Sequence, residues 1–320
     1  MREGGVRIGH LAFAALAAAG RGRVVSVSPR VVNVVLDGVA LVGLLPPGAP
    51  LHPWAIVADF APLRLRAGMC AAVTRGRLGL RLSLGERDRM RLALAKRDIV
   101  RLALDGPLRA WPAPAVWAAV RAATDASVEP WGFASGLGPA LEHFAASAKP
   151  DGLDHLVGRG EGFTPSGDDA LVGLLAALAS LARLDARVGA LRASIVALIT
   201  PRLDIKTTRL AAQLVAAAAA GFYAEPVLTL FAALSAPCPA GLERLAAAAR
   251  VVARMGHSSG VALLYGIDAG VRAATACASP TACTRPPRCA GPRPYAGEAR
   301  RCRRPTGERA RGPRRRHRRG

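Results

Sequence analysis

Glycines, hydroxyl side chains and two adjacent carboxylates stand together in residues 158–169, directly before a long apolar segment. Glycine lets the backbone approach a ligand closely, and the free N–H groups and positive dipole end of a helix N-terminus favour an anion. The adjacent carboxylates Asp168 and Asp169 are ligands of the type that magnesium prefers. The segment therefore predicts a site for an anion, for a divalent cation such as magnesium, or for both together.

A simpler interpretation of this segment is a capping box, because Ser166 is followed three residues later by Asp169. Such a box needs only one hydroxyl and one carboxylate, whereas the segment also contains glycines at spacing two, Thr164 and a second aspartate. The surplus favours a binding site over a helix cap alone. A phosphate-binding P-loop fits poorly because its lysine is missing. A dinucleotide fold fits poorly because its strand–turn–helix unit is missing.

Two further polar clusters also precede apolar helices, at residues 204–209 and 256–260. If the three helix N-termini converge, they form one site for a small anionic substrate in a largely apolar bundle. Its predicted catalytic residues are Asp168, Asp169 and His257, and its predicted substrate- and anion-binding residues are Gly160, Gly162, Thr164, Ser166, Gly167, Lys206, Thr207, Thr208, Arg209, Ser258 and Ser259. The alternative is three independent caps, because Ser, Thr and Asp are preferred at helix N-termini for local reasons.

The apolar segments and the turn residues between them predict the helices and strands that position these residues. After an opening helix, Val- and Leu-rich segments predict strands, with Asp37-Gly38 as a hairpin signal. The six predicted strands are Arg23–Val27, Val31–Leu36, Val39–Leu45, Trp54–Phe60, Cys70–Thr74 and Arg77–Leu84. Residues 87–105 fit a helix or a strand, and from about Trp117 Ala and Leu dominate.

The expected fold is α+β, with an antiparallel, barrel-like β-rich domain followed by a mostly helical one. We expect a helix in residues 1–20, the β-rich domain in 21–115, the helical domain in 116–276 and a disordered tail in 277–320. The helix after Asp168 is apolar nearly all round, which predicts a central position, and Gly173 would allow a neighbour to approach closely.

The formal charge of +22 is concentrated at the C-terminus. Residues 285–320 hold 14 arginines and two glutamates, a net of +12, which leaves +10 for the first 284 residues. An Arg/Pro/Ala/Gly/Cys mixture with almost no aliphatic residues cannot form a core, and it is typical of a GC-rich gene read out of frame. The rival hypothesis, an arginine-rich arm that binds nucleic acid, lacks aromatic interleaving and any known motif.

Length and composition suit one large or two modest soluble domains, with 51% hydrophobic residues in 320. The apolar run that follows Asp169 ends at Arg183, too short for the roughly 20 residues that span a bilayer, so no transmembrane helix is predicted. Residues 11–20 resemble a short secretory signal, but an alanine-rich helix explains them equally without cleavage. The expected compartment is the cytoplasm. Cysteine spacings predict neither a disulfide framework nor a zinc site.

The segment Gly160 to Gly173, with its core Thr-Pro-Ser-Gly-Asp-Asp, resembles the signature of a bacterial family long described as a domain of unknown function. Its better-understood members are subunits of oxamate carbamoyltransferase. Thr207-Thr208 and residues 256–260 agree with the pattern in order and spacing, and the resemblance covers roughly residues 20–275.

The resemblance implies transfer of a carbamoyl group between carbamoyl phosphate and a small amide or carboxylate acceptor, in purine and allantoin catabolism. It also implies a hetero-oligomer, because the family enzyme is assembled from different subunits. An active site completed by partners, and an inactive isolated chain, would follow. The alternative is a non-catalytic assembly or metabolite-sensing subunit of such an enzyme. No membrane partner is expected, and magnesium at Asp168 and Asp169 is the only cofactor that the residue types suggest.

Overall fold

The structure is a computed structural model. It describes residues 5–38, 40–59, 65–77, 79–85, 90–105, 137–235 and 239–278, with single positions at 108, 111, 118, 120 and 122. The predicted domain boundary near residue 115 and residues 279–320 of the expected tail lie outside the described residues, whereas residues 277 and 278, also expected in the tail, end the last helix.

Nine strands form one barrel-like sheet in the N-terminal part of the described chain, in the order β8-β7-β6-β2-β3-β4-β5-β1-β9. The strands are β1 Arg7–Gly9, β2 Arg21–Val27, β3 Val32–Leu36, β4 Ala40–Leu45, β5 Ala55–Val57, β6 Cys70–Gly76, β7 Gly79–Leu84, β8 Met90–Ala95 and β9 Ile99–Val100. Each of the six strands expected from the sequence overlaps one of β2 to β7. The expected α+β fold with a barrel-like N-terminal part is confirmed.

The predicted hairpin joins β3 to β4, with Leu36 opposite Ala40 and Gly38 at φ 72°, a left-handed conformation that favours glycine. The expectation of a purely antiparallel sheet is wrong in two places. Strand β5 pairs parallel with β4, and β9 pairs parallel with β1. Residues 46–54 carry the chain back before β5 begins, and side-chain alternation is the same whichever direction a neighbouring strand runs.

The helix expected in residues 1–20 is shorter, α1 at His10–Ala18, and strand β1 precedes it within that range. The ambiguous segment after residue 87 forms β8 and β9, separated by a 3-10 turn at Lys96–Asp98. The Ala95 N–H donates to Asp98 Oδ2 at 2.8 Å, which stabilises that turn.

The α-helices of the following part of the described chain are α2 Leu137–Ser147, α3 Ser166–Leu181, α4 Ala186–Lys206, α5 Arg209–Ala219, α6 Glu225–Leu234, α7 Pro239–Ala253 and α8 Ser259–Ala278. Helix α3 is buried along nearly its whole length, which confirms its predicted central position. Its main neighbour is α8, and the two backbones approach closely at Gly173 and Gly266. A Cβ at Gly173 would lie 1.9 Å from the Leu263 carbonyl oxygen, and one at Gly266 would lie 1.9 Å from that of Ala170.

Among the described residues, α8 is long and apolar enough to cross a membrane by length and composition. Most of the helix is buried against its neighbours in the helical core, and core helices of soluble proteins have the same composition.

Side chains of α5 and α6 connect the helices to the sheet. Gln213 accepts the Leu41 N–H at 2.7 Å and donates to the Leu41 carbonyl at 3.2 Å. The Trp54 indole N–H donates to the Gln213 carbonyl at 3.1 Å. Glu225 accepts the Leu51 N–H at 2.9 Å and pairs with Arg7. These contacts fix α5 against β4, which determines where the chain between α4 and α5 lies.

Candidate functional site

The three polar clusters meet at one place. Thr164 Oγ1 lies 3.0 Å from Ser259 Oγ, and Ser166 Oγ lies 3.4 Å from Ser258 Oγ, which joins the start of α3 to the start of α8. The junction between α4 and α5 reaches the same place, because Thr207 Oγ1 donates to Asp168 Oδ2 at 2.6 Å. Convergence therefore describes the arrangement better than three independent caps do.

Local capping is nevertheless present at one of the three helices. Thr208 is the N-cap of α5, and its hydroxyl accepts the Ala211 N–H at 3.1 Å. The same hydroxyl donates to the Phe163 carbonyl at 2.5 Å, so it also holds the loop before α3. The capping box at the start of α3 is absent, since Pro165 is the N-cap and no side chain caps the helix. Ser166 and Asp169 therefore do not cap the helix, contrary to the simpler interpretation.

Asp168 is 1% exposed and has its carboxylate fully engaged. Its two oxygens accept the Gly158 N–H at 3.1 and 3.2 Å, and Oδ2 also accepts the Thr207 hydroxyl. Burial raises the pKa of Asp168, and the hydrogen bonds from Thr207 and Gly158 oppose that rise. This carboxylate links the loop before α3 to the α4–α5 junction.

Gly158 makes this link possible through its backbone. It has φ 74°, and a Cβ there would lie 1.8 Å from the Lys206 carbonyl oxygen. A side chain would therefore separate the loop from the end of α4. Gly160 and Gly162 also have positive φ values, 116° and 88°, so the spacing of two reflects a loop of left-handed residues.

Asp169 differs from its neighbour in that its Oδ2 is buried and has no hydrogen-bond partner in the described part of the chain. The side chain is 8% exposed, and the hydroxyls of Ser259 and Thr164 face its carboxyl group. Burial raises the pKa of Asp169 to about 7, with a further rise from the charge of Asp168 and an opposing effect of the two hydroxyls. A buried carboxylate oxygen without a partner is unusual, and a ligand is one reason for it.

The backbone at the start of α3 offers fewer donors than the sequence suggests. The Gly167 N–H donates to the Arg159 carbonyl at 2.8 Å, and those of Asp168 and Asp169 donate to the Pro165 carbonyl at 2.9 and 3.2 Å. Gly167 is packed against the Leu156 carbonyl, 2.0 Å from where a Cβ would stand. The lack of a side chain at Gly167 therefore allows this close packing. These three N–H groups are therefore not available to an anion.

The predicted cationic residues lie at the rim. Lys206 ends α4, Arg209 begins α5, and both are exposed, as is His257 just before α8. Among the described residues, no group of three or more His, Cys, Asp or Glu side chains is placed to hold a metal ion. Magnesium commonly keeps several waters and needs only one or two carboxylates, and Asp169 is the member of the pair with an open oxygen.

A cleft of about 560 Å³ adjoins this cluster at Thr207, between α4, α5 and the β3–β4 turn. Gln213, which lines it, was missed by sequence reasoning, and its only signal was a polar residue within an alanine-rich helix. A second cavity of about 330 Å³ lies between β6, β7 and β8. The first cleft is the relevant one here, because Thr207 lines it and donates to Asp168, whereas the lining of the second cavity contains no residue of the cluster.

Comparison with known families bears on the part of the chain that forms the cluster. Residues 156–271 match the family model of the oxamate carbamoyltransferase subunit AllH. The matched region begins before Gly158 and ends within α8, so it contains all three converging segments. The predicted resemblance is confirmed over this region. No solved structure matches the chain.

Proposed function

We propose that the chain is a subunit of a carbamoyltransferase of the oxamate type, which transfers a carbamoyl group between carbamoyl phosphate and a small amide or carboxylate acceptor. The observation that carries the proposal is the open Oδ2 of Asp169, buried among hydroxyls from segments that lie within the family match. A catalytic centre needs such a group, fixed by packing and still able to accept a hydrogen bond.

The residue types suit the reaction. The acceptor's amide nitrogen attacks the carbamoyl carbon, the new C–N bond forms, and the C–O bond to phosphate breaks as phosphate leaves. Asp169 Oδ2 accepts a hydrogen bond from the attacking N–H, which orients the nitrogen, and takes that proton as the C–N bond forms. Lys206 and Arg209 supply positive charge for the departing phosphate, and His257 donates to the carbonyl oxygen as negative charge develops.

Asp168 has a different role in this proposal. Its oxygens are occupied by Gly158 and Thr207, so it positions the loop and the α4–α5 junction without contacting substrate. The alternative use of the open Asp169 oxygen is to bind magnesium together with substrate phosphate, in place of the attacking nitrogen. In this proposal other subunits of a cytoplasmic hetero-oligomer complete the active site, and the exposed Lys206, Arg209 and His257 lie where a partner can reach them.

Turnover of the reconstituted complex tests the proposal. Asp169→Asn keeps the shape of the side chain but weakens its acceptor, so carbamoyl transfer should fall at least about 100-fold while the complex still assembles. Asp151→Asn is the matched control, since Asp151 is exposed outside the cluster. The assay is run with and without magnesium.

Other outcomes would decide against catalysis by this chain. Normal turnover with Asp169→Asn would remove the proposed role of the open oxygen. Loss confined to assembly, with full turnover in whatever complex remains, would instead indicate a structural or metabolite-sensing subunit.

A further inference from the structure

The two most exposed large apolar side chains of the described chain lie beside the carboxylate cluster. Phe163, in the loop before α3, is 59% exposed, and Ile205, in the last turn of α4, is 82% exposed. The other exposed members of this class, Val25, Leu242 and Val251, range from 41 to 55%. A lone exposed apolar residue is common on a soluble protein, whereas neighbouring ones mark a surface that binds a partner.

Backbone contacts bring these two residues onto one surface. The Thr208 hydroxyl, three residues after Ile205, donates to the Phe163 carbonyl. The end of α4 also packs against the same loop at Gly158, where a Cβ would lie 1.8 Å from the last carbonyl oxygen of that helix. We call this region the contact surface, and it comprises residues 161–163 and 204–209.

The loop presents Phe163 in a fixed position. Its carbonyl accepts the Thr208 hydroxyl, and the hydroxyl of the next residue, Thr164, lies 3.0 Å from Ser259 Oγ. Pro165, which follows, is buried. Because the backbone beside Phe163 is anchored, little conformational freedom is lost when a partner covers the side chain.

Charges of both signs surround the apolar pair. Glu161 lies two residues before Phe163. Asp204 and Lys206 flank Ile205, and all three charged side chains are exposed. The two carboxylates repel a polyanion, which disfavours nucleic acid and an anionic membrane. Apolar anchors within a ring of mixed charge are instead typical of protein–protein interfaces.

We propose that the contact surface binds a different subunit of a multi-subunit enzyme. Residues 156–271, which contain the whole surface, match a family described as an enzyme subunit, and this favours a protein partner. The partner receives Phe163 and Ile205 in apolar pockets. It places a basic group opposite Glu161 and an acidic group opposite Lys206. That the enzyme is a carbamoyltransferase rests on the proposed function.

The position of the contact surface gives the contact a consequence for the site. A subunit bound there covers Lys206 and excludes water from it. Because opposite charges attract more strongly where the dielectric constant is low, the covered ammonium group attracts an anionic substrate more strongly than it does in the free chain. Assembly therefore prepares the site for its substrate.

Titration of the full chain with the other subunits of the complex, followed by light scattering, tests the proposal. Phe163→Ser and Ile205→Thr should each raise the Kd of assembly at least about 10-fold, because each removes a buried apolar anchor. Turnover of each assembled complex, measured at saturating subunit concentrations, should equal that of the parent, since neither side chain contacts substrate.

Matched controls are Leu242→Ser in α7 and Val25→Thr in β2, which remove exposed apolar side chains away from the contact surface. Both should assemble as the parent does, and thermal unfolding should show that every variant is folded. An unchanged Kd in both contact-surface variants would overturn the proposal. Equal losses in the controls, or a parent chain that assembles with no other subunit, would do the same.

Two further outcomes separate the alternatives. A dimer of the isolated chain that dissociates in Phe163→Ser would make a second copy the occupant and overturn the proposal. A complex whose assembly depends on both side chains, but which transfers no carbamoyl group, would keep the contact surface and remove the reaction. Carbamoyl transfer with parent-like assembly in both variants would keep the reaction and remove the contact surface.

Discussion

The barrel-like sheet and the helical core bury very different side chains. In the described part of the chain, the sheet region buries one polar side chain, Asn33, which donates to Ser26 Oγ at 2.9 Å. The helical core buries Asp168, Asp169 and Ser180, and all three belong to α3. Burying a carboxylate costs free energy unless it is paired or protonated. The helical core therefore carries a destabilising feature that the sheet lacks, and such features are common at functional sites.

The largest expected difference between the two regions is the loss of stability when a glycine is replaced by alanine. In Gly266→Ala the new Cβ meets the Ala170 carbonyl at 1.9 Å, and backbone cannot move aside as a side chain can. We expect a loss of at least about 3 kcal/mol in the free energy of unfolding, measured by urea denaturation. Gly43→Ala in the sheet meets nothing closer than 3.6 Å and should change stability by less than about 0.5 kcal/mol. Equal effects would remove the contrast.

The next effect is the dependence of stability on pH. The folded-state pKa of Asp169 is raised to about 7, while an unfolded aspartate has about 3.9. Between these values the folded chain holds a proton that the unfolded chain has lost, so stability falls as pH rises and is lowest above pH about 7. Asp169→Asn should flatten this slope and stabilise the chain at pH 8.5 by about 3 kcal/mol.

Thermal and urea unfolding between pH 4 and 9 measure this slope. Asp151→Asn, an exposed matched change, should keep the slope of the parent chain. A steeper or unchanged slope in Asp169→Asn would contradict the burial of an uncompensated carboxylate.

A smaller effect is expected at the fully engaged carboxylate. Asp168→Ala leaves the Gly158 N–H and the Thr207 hydroxyl without their acceptor, which should cost about 2 kcal/mol. Asp168→Asn keeps an acceptor oxygen and should restore part of that loss. In the sheet, Asn33→Ala removes a single bond to Ser26 and should cost about 1 kcal/mol. Hydrogen exchange at Gly158 would show whether the loop is released in Asp168→Ala.

The smallest predicted effect concerns local caps, for which the two regions should be alike. Thr208→Ala removes the cap of α5 and should cost about 1 kcal/mol. Ser28→Ala in the sheet region removes a turn hydroxyl that accepts the Val31 N–H at 3.1 Å, with a similar expected cost. A much larger effect at Thr208 would mean that its bond to the Phe163 carbonyl, at 2.5 Å, organises the whole cluster.

Much of the fold was predictable because its signals are local. Val- and Leu-rich segments between turn residues identified six strands, Asp37-Gly38 identified the β3–β4 hairpin, and the apolar run after Asp169 identified the central helix. The two parallel pairings were not predictable, since β1 and β9 are distant in sequence and alternation carries no information on strand direction.

The sequence predicted which residues form the candidate site better than it predicted the contacts that each of them makes. Three polar clusters before apolar helices pointed to Asp169, Thr164 and Ser259, which do lie together. The sequence could not show that the N–H groups at the start of α3 are already occupied, because the Arg159 carbonyl reaches Gly167 only through the conformation of the loop. Gln213 was not predicted as a residue of the cleft, because its hydrogen-bond partner Leu41 is far away in the sequence.

By itself, the sequence determined the periodicities, the turn glycines and the chemical types gathered before each helix, because these depend on neighbours within a few residues. Only the tertiary structure decided that Asp168 is saturated while the adjacent Asp169 keeps an open oxygen. Two neighbouring aspartates in one helical turn point in different directions, so one meets the α4–α5 junction and the other meets α8. Their difference arises from what is packed against each side of the helix, and those elements come from elsewhere in the chain.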